Sequence, residues 1–386
     1  MRISKNSLLY ALEIVILCEP QLLTYNYYID SMFKFGKIII FIFVIFYLLS
    51  SIGKRKFGKE TAALLVYELV LLISTIVNGL SIYYCILYGM TFISITVLTE
   101  REMRRNTTNC IKTLLIIFTI FVIIHILTYI CNFSYAANGT QYYFLGLRTR
   151  TTDSVVIIIA CAFLLYSLKK IKFFITLVFL LIGLMAELIF SVSTGLTGLG
   201  IILVVYFGIK IGVLRKIFEN KNIIIILAIA VILVVIFRVQ DVFNPIFEVL
   251  FNKGADLSYR TYIWDNAIKE YIKSPLSIII GNGVTELGEW VPFGGRMWQS
   301  HDQYLQVLLD GGFIALGAFI IMFVKWVQTI LKYRNTKIAA FSSAFLVGYA
   351  LIMIAEIYSY YPQFYLILAL FSNIDLYNNK DLSLKV

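Results

Sequence analysis

The sequence predicts an all-α polytopic membrane protein with about twelve transmembrane helices and one large extracytoplasmic loop between spans nine and ten. Composition is the first observation behind this fold class. Hydrophobic residues make up 60% of the 386 residues, charged residues only 14%, and the mean hydropathy is +0.87. A water-soluble domain of this length has no interior large enough to hide so much apolar surface.

The spacing of apolar stretches is the second observation, because crossing a bilayer core takes roughly 20 apolar residues per helix. Candidate spans lie near 7–24, 36–52, 61–77, 80–99, 111–131, 151–168, 172–190, 194–213, 222–238, 305–325, 338–356 and 362–376. Glu13 and the neighbouring Glu19 and Pro20 make the first span the weakest. No small-residue cleavage site follows that stretch, so we expect a retained span rather than a signal peptide. Residues 1–386 are predicted to form a single polytopic domain.

The distribution of basic residues is the third observation. They cluster in alternate connections between the spans, namely 54–59, 101–112, 169–172, 210–221 and 325–337. By the positive-inside rule these connections are cytoplasmic, which makes both termini cytoplasmic and the long loop 239–304 extracytoplasmic. The net charge of +11 is explained by basic residues in cytoplasmic loops, which lie next to anionic headgroups. We therefore expect no nucleic-acid partner.

Within the long loop, an amphipathic helix is predicted near 258–273. Its apolar residues recur at helical spacing, with Ser258 as N-cap and Pro275 beyond the end. Such a helix is expected to lie at the outer membrane surface. The glycines that follow this helix predict turns before residue 301.

His301 is one of only two histidines and stands at the mouth of span ten, beside Asp302. With an ordinary pKa near 6.5, an imidazole can accept a proton at physiological pH. The alternative is a side chain that anchors the helix end at the headgroup level. His125 lies inside span five, where packing against a neighbouring helix is the favoured interpretation.

Arginines on the predicted outer face are the second chemical signal, because the positive-inside rule disfavours them there. Those of interest are Arg148, Arg150, Arg238, Arg260 and Arg296. Guanidinium forks bind phosphate oxygens bidentately, so several converging forks would hold a lipid diphosphate. The alternative is that each arginine pairs with an outer carboxylate such as Asp153, or with lipid headgroups.

Other polar and aromatic residues give weaker signals. Trp290 and Trp298 are candidates for stacking on sugar faces, although tryptophan at an interface is also a common anchor. Carboxylates within the predicted spans would also suit an ion or proton path; they are Glu13, Glu68, Glu187 and Glu356.

The sequence has no nucleotide-binding glycine loop, no metal-spaced His/Cys cluster and no DxD motif. The five cysteines are scattered and predict neither a disulfide framework nor a metal site. We therefore expect no metal and no cofactor. A synthetic reaction on the outer face needs a donor with a built-in leaving group, and a polyprenyl diphosphate is such a group.

The stretch SHDQYLQVLLDGGFIALGAF, residues 300–319, resembles a signature of the O-antigen ligase and Wzy-type polysaccharide polymerase superfamily. That signature is a histidine at the end of the large outer loop and a glycine eleven residues later, here His301 and Gly312. The upstream pattern is similar as well, with Arg260, Trp264, Pro275, Gly281 and Gly283 in the corresponding places. The family's other outer arginine corresponds to Arg148 or Arg150. Two departures are Asp302, where Asn, Ser or Gln is common, and Ala315, where a second small or polar residue, often Gly, is expected.

The resemblance implies a metal-independent glycosyltransferase in the bacterial cytoplasmic membrane. A polymerase of this superfamily transfers a glycan from undecaprenyl diphosphate to a lipid-linked repeat unit during capsule or O-antigen synthesis. His301 would accept the acceptor's proton, the arginines Arg260, Arg148, Arg150 and Arg296 would bind the diphosphate, and Asp302, Trp298 and Trp290 would contact the acceptor or sugar.

Implied partners are the undecaprenyl-diphosphate-linked oligosaccharide, the bilayer, and chain-length regulator and flippase proteins. One alternative is a ligase that uses another acceptor. The other is a polysaccharide transporter or flippase, although the two halves of the chain show no obvious repeat.

Overall fold

The computed structural model describes residues 5–51, 58–137, 140–239 and 260–376, and these ranges are predominantly α-helical. The helices are α1 (Lys5–Leu17), α2 (Gln21–Thr24), α3 (Tyr27–Ser51), α4 (Lys59–Val77), α5 (Tyr83–Ile130), α6 (Thr151–Ser167), α7 (Phe173–Ile189), α8 (Ser193–Lys210), α9 (Arg215–Phe218), α10 (Ile223–Val235), α11 (Arg260–Tyr271), α12 (Pro275–Ile280), α13 (Gln303–Lys332), α14 (Lys337–Ile352) and α15 (Pro362–Ser372).

Short strands and turns of 3₁₀ helix complete the described ranges. Strands β1 (Tyr135–Ala137) and β2 (Thr140–Tyr142) pair antiparallel, with Tyr135 opposite Tyr142. Strands β3 (Val291–Phe293) and β4 (Arg296–Trp298) form a second hairpin, with Val291 opposite Trp298. The 3₁₀ turns are Arg148–Arg150, directly before α6, and Ile374–Leu376.

The helices confirm an α-helical membrane protein. In the ranges described, six helices are long and apolar enough to cross a membrane: α3, α4, α5, α6 with its preceding turn, α8 and α13. Helix α5 runs for 48 residues and is interrupted by the non-helical backbone of Asn106. Five shorter apolar helices accompany them, namely α1, α7, α10, α14 and α15. Twelve spans, and the side on which the long loop lies, remain predictions.

Helix α6 lies at the centre of the bundle. All of its residues from 151 to 165 are buried, and it packs against α5, α7 and α15. A helix that is apolar on every face is stable only when protein or lipid surrounds it completely. By contrast, α3 lies at the periphery, with large residues such as Phe43 and Phe46 exposed. The 3₁₀ turn that begins α6 therefore rests on a rigid, fully packed element.

Helix α13 is broken at Gly312, whose backbone is non-helical (φ 65°, ψ −164°). The break takes the carbonyls of Leu309 and Asp310 out of the regular helical ladder. The amide of Asn282 donates to the Leu309 carbonyl at 2.6 Å, and that of Gly283 donates to the Asp310 carbonyl at 3.0 Å. These bonds satisfy backbone groups for which lipid offers no partner.

The segment after α12 crosses α13 in direct backbone contact. A Cβ on Gly312 would lie 2.3 Å from the carbonyl carbon of Ile279, and one on Gly281 would lie 2.4 Å from the amide nitrogen of Gly311. Both glycines also have positive φ, which side chains with a Cβ disfavour. This crossing fastens the segment 281–300 to α13 and accounts for two glycines of the sequence signature.

Helix α11 lies within the predicted range 258–273, and the proposed cap Ser258 falls outside the described residues, as do residues 240–259 of the loop. Trp264 on α11 is fully buried, in a cluster that includes Val291 of β3 and Leu309 of α13. The apolar side of α11 thus packs on protein, which brings Arg260 at its first position close to the beginning of α13.

Replacing Gly312 with Ala should destabilise the protein, because Ala would need a positive φ and would clash with the Ile279 carbonyl. Strain of this kind costs about 1–3 kcal/mol before the clash is counted. Gly317→Ala is the matched control in the same helix, since a Cβ there meets no heavy atom within 4 Å. Thermal unfolding in detergent should show a lower midpoint for Gly312→Ala only. Equal midpoints for the two variants would contradict the crossing.

Candidate active site

The beginning of α13 holds the connection between α14 and α15, residues 353–361. The Gln303 side-chain oxygen accepts hydrogen bonds from the amides of Tyr358 and Ser359 at 2.7 and 2.8 Å. Its side-chain nitrogen donates to the Ser359 hydroxyl at 2.7 Å, and its own amide donates to the Met353 carbonyl at 2.8 Å. One buried amide therefore fixes the segment that carries Glu356 and Tyr361.

His301 immediately precedes this helix and has a left-handed backbone with φ 52°. The imidazole is partly buried, and its ring centre lies 6.2 Å from that of Trp298. Asp302 is the N-cap of α13, because its carboxylate accepts a hydrogen bond from the Leu305 amide at 2.7 Å. Cap and turn together aim His301 away from the helix axis.

Asp302 itself is fully buried. Its second carboxyl oxygen has no hydrogen-bond partner among the described residues. Burial raises the pKa of this carboxyl to about 8, so at neutral pH it is mostly protonated. We predicted a contact between Asp302 and the acceptor or sugar, and the position found is that of a helix cap facing the bundle interior.

Arg260 forms an ion pair with Glu356, with 2.6 Å between guanidinium nitrogen and carboxylate oxygen. Their side chains are only 20% and 12% exposed. Helix α14 ends at Ile352, so Glu356 lies in the connection after it. The predicted span 338–356 had placed this residue within a helix. The charges of both residues act on His301, so the pair belongs to the electrostatic surroundings of the imidazole.

Arg150 approaches the same histidine from α6, and its charge also acts on His301. Its guanidinium lies over the Tyr361 ring, 3.8 Å from the ring centre, and donates to Asp153 at 3.3 Å. Arg148, two residues earlier in the 3₁₀ turn, is exposed and forms no ion pair with a described residue. Of the two arginines that the sequence left open, Arg150 is the one brought to His301.

The remaining outer arginines stand apart. Arg296 on β4 is exposed, and no described contact links it to His301. Arg238 pairs with Asp265 of α11 and donates to the Thr261 carbonyl. Pairing with a carboxylate, the alternative considered for each arginine, is thus found at Arg150, Arg238 and Arg260.

The two tryptophans occupy different environments. Trp298 is 39% exposed next to His301, and its indole nitrogen donates to the Phe293 carbonyl at 2.9 Å. The Trp290 indole nitrogen instead donates to Asp310 at 3.2 Å. Trp298 therefore remains open to a ligand, whereas Trp290 serves the packing of α13.

Asp310 anchors the loops around the site, a role that the sequence did not reveal. It accepts hydrogen bonds from the Tyr360 hydroxyl at 2.5 Å and from the Gln306 amide at 2.9 Å, besides Trp290. Gln306 in turn accepts from the amide of Ser300 at 3.0 Å. Hydrogen bonds at the residues on both sides of His301, Ser300 and the N-cap Asp302, therefore fix its position.

The electrostatic surroundings keep His301 neutral. Burial lowers the pKa of its imidazole, Glu356 opposes this, and the positive charges of Arg260 and Arg150 lower it further. At neutral pH the ring therefore has an unprotonated nitrogen that can accept a proton. His125, in contrast, accepts the Leu145 amide at 3.0 Å and stacks on Phe190, which is a packing role.

An apolar groove of about 440 Å³ runs along α10, α13 and α14 and reaches Asp302. Its walls are aliphatic and aromatic side chains, among them Leu227, Leu305 and Phe319. Among the described residues that line it, Asp302 is the only one with an acidic side chain. The groove has the chemistry of a hydrocarbon-chain site whose head end adjoins His301.

Sequence reasoning considered Glu356 only for an ion or proton path, and it missed Tyr361 and the organising amide Gln303. A weak signal was present in EIYSYYPQ, residues 356–363, where a carboxylate and three tyrosines interrupt two apolar runs. Among the described residues, no group of three or more His, Cys, Asp or Glu side chains is placed to hold a metal ion.

A family model described as O-antigen ligase matches residues 188–320, from the end of α7 into α13. This range includes His301, Arg260 and Gly312 but neither Arg150 nor Glu356. The match confirms the resemblance to the O-antigen ligase and Wzy superfamily and indicates a membrane glycan transferase of the ligase or polymerase type. No curated protein matches the chain.

Asp302→Asn should preserve the cap and change the pH dependence of stability. A carboxyl whose pKa is raised on folding contributes stability below its unfolded pKa near 3.9 and loses it as pH rises through about 8. The unfolding midpoint of Asp302→Asn relative to the wild type should therefore increase between pH 5 and pH 8.

Asp302→Ala, which lacks a cap, is the control and should lose about 0.5–2 kcal/mol over the same pH range relative to Asn. A constant midpoint difference between the Asn variant and the wild type would contradict the buried, protonated carboxyl.

Proposed function

We propose that this protein is a polysaccharide polymerase in the bacterial cytoplasmic membrane. It would transfer a glycan from undecaprenyl diphosphate to a lipid-linked repeat unit on the outer face, during capsule or O-antigen synthesis. The observation that carries the proposal is a histidine on which the charges of Arg260 and Arg150 act, next to Asp302 in the lining of an apolar groove. The family match supports the same reaction class.

The groove supports a lipid-linked donor. A polyprenyl chain is a long, flexible hydrocarbon, and burial of its surface is favourable by about 25 cal/mol per Å². The chain would lie along α10 and α13 with its diphosphate beside Asp302. Because Asp302 is mostly protonated at neutral pH, it would not repel that diphosphate.

Arg260 and Arg150 would stabilise the leaving group. Each guanidinium is oriented by a carboxylate, Glu356 or Asp153, which contacts one terminal nitrogen. An arginine has five N–H donors, so each retains donors for phosphate oxygens. Negative charge grows on the diphosphate in the transition state, and preorganised cations stabilise it without needing to move.

His301 would act as the general base. The acceptor hydroxyl oxygen forms the new bond to the anomeric carbon while the bond from that carbon to the diphosphate oxygen breaks. The bonding electrons leave with the diphosphate, and the hydroxyl proton passes to the unprotonated imidazole nitrogen. Trp298, exposed beside the imidazole, would pack on the sugar ring at the reacting centre.

His301→Asn should reduce polymer formation by about 10²- to 10⁴-fold, the usual contribution of a general base. Asn is chosen because it tolerates the left-handed backbone that His301 adopts. Purified protein in detergent would be given lipid-linked repeat units, and chain length read on a gel. Without vesicles, transport has no meaning, so chain growth separates a polymerase from a flippase.

Gly317→Ala provides the folding and activity control, at matched protein levels. Normal polymer from His301→Asn would overturn the proton-acceptor role. Failure of the wild type to lengthen repeat units, with transfer to a different acceptor, would instead identify a ligase.

The pH profile of kcat/KM provides a test of the charges around His301. Because the imidazole pKa is lowered, activity should fall only as pH drops below the ordinary histidine value near 6.5. Glu356→Gln removes the charge that raises this pKa, so the acidic side of the profile should move to still lower pH. An unchanged or upward-shifted profile would contradict the placement of Glu356 beside a catalytic imidazole.

A further inference from the structure

A second cavity, of about 220 Å³, lies on the α1–α3 side of Arg150 and shares no residue with the apolar groove. Its charged lining residues are Glu19, Lys37, Arg150, Asp153 and Glu286, and Gln299 and Gln363 add side-chain amides. The cavity joins the first helices to the α14–α15 connection, and its N-terminal wall lies outside the range that the family model matches. Arg150 is the element common to this cavity and to the surroundings of His301.

Lys37 and Glu19 form an ion pair across the cavity wall at 2.6 Å, and the lysine side chain is only 6% exposed. A buried ion pair is costly unless the remaining hydrogen-bonding capacity of both groups is used. Glu19 follows directly after α1, at the place where the sequence interrupts its first apolar stretch. The pair is therefore a built feature that the proposed chemistry at His301 does not use.

Several buried polar atoms around the cavity lack a hydrogen-bond partner among the described residues. They are the second carboxylate oxygens of Glu19 and Asp153, the Nε of Arg150 and the side-chain oxygen of Gln363. Buried polar groups are nearly always paired in folded proteins, so these four residues retain hydrogen-bonding capacity that a ligand of the cavity could use. The cluster offers both acceptors and a donor, which matches a ligand whose own groups do both.

The charges of the walls select a neutral ligand. Lys37 and Arg150 stand among three carboxylates, Glu19, Asp153 and Glu286. A diphosphate would therefore meet an excess of negative charge, and a cation would meet two positive groups. Sugar hydroxyls donate to carboxylates and accept from guanidinium and ammonium groups. Tyr361 and Phe92 add aromatic surface for the apolar face of a ring.

We propose that this cavity binds a sugar residue of the acceptor glycan and that Glu19 and Lys37 determine which sugar is accepted. The proposal rests on the proposed glycan transfer. The donor would then reach His301 from the groove and the acceptor from the opposite side, past Arg150. The volume has room for a single pyranose ring.

The test measures binding directly, apart from activity. The probe is the repeat-unit oligosaccharide released from the source strain's own polysaccharide, without lipid or diphosphate, titrated into the full-length protein in detergent. Glu19→Gln combined with Lys37→Met removes the ion pair and keeps the side-chain volume. Loss of charge-assisted hydrogen bonds should weaken binding by about 10- to 100-fold.

Asp30→Asn combined with Lys34→Met is the matched control. That pair, at 2.8 Å, lies one turn away on α3 and does not line the cavity. It should bind the oligosaccharide as the wild type does. In the Glu19/Lys37 variant, KM for the acceptor should rise while kcat stays within about threefold, as expected for a binding contact.

Gln363→Met is a second variant that changes no charge, for use if the double variant does not fold; it should weaken binding as well. Wild-type binding by folded Glu19/Lys37 and Gln363 variants would overturn the proposal, as would absence of binding to the wild type. Weaker binding of inorganic pyrophosphate to the Glu19/Lys37 variant than to the wild type would also overturn it, by assigning the cavity to the leaving group. If the oligosaccharide binds as expected while His301→Asn keeps full activity, the acceptor cavity stands and the mechanism at His301 falls.

Discussion

The backbone crossing between the end of α12 and the break in α13 is the constraint on which the site depends. A helix interrupted within the membrane leaves carbonyls that lipid cannot satisfy. Here the amides of Asn282 and Gly283 and the Ser74 hydroxyl satisfy those of Leu309 and Asp310. The same bonds secure the segment that leads to His301. The same backbone contact therefore stabilises the break in α13 and fixes the position of His301.

Balanced charge is the second organising feature. Each arginine whose charge acts on His301 has a carboxylate partner, so the site does not hold two unpaired cations. The cost of burying a lone charge would be several kcal/mol, whereas a pair recovers much of it. This arrangement keeps the guanidiniums oriented while leaving donors unused. Burial is the main cause of the lowered pKa of His301, and Arg260 and Arg150 lower it further against the opposing charge of Glu356.

The helical membrane fold could be predicted because apolar composition and helix length follow directly from the bilayer. His301, Arg260 and Gly312 could be found because they lie within one stretch of chain with recognisable spacing. The roles of Glu356 and Gln303 could not be predicted, because they depend on contact between the start of α13 and a connection more than 50 residues later in the chain. Only packing brings these two segments together. Arg148 and Arg150 differ by two positions, and only the turn geometry at the start of α6 distinguishes them.

The break at Gly312 also makes the orientation of the first part of α13 independent of the length of the second part. In a continuous helix, inserting one residue rotates everything beyond it by about 100°, which would turn an entire functional face away from its neighbours. A non-helical glycine interrupts that transmission. The segment after the break packs on its neighbours through buried residues such as Phe319 and Trp326, so a change in its length would alter that packing without rotating the residues before the break. The nine residues before the break, 303–311, would keep their orientation relative to His301 after such a change.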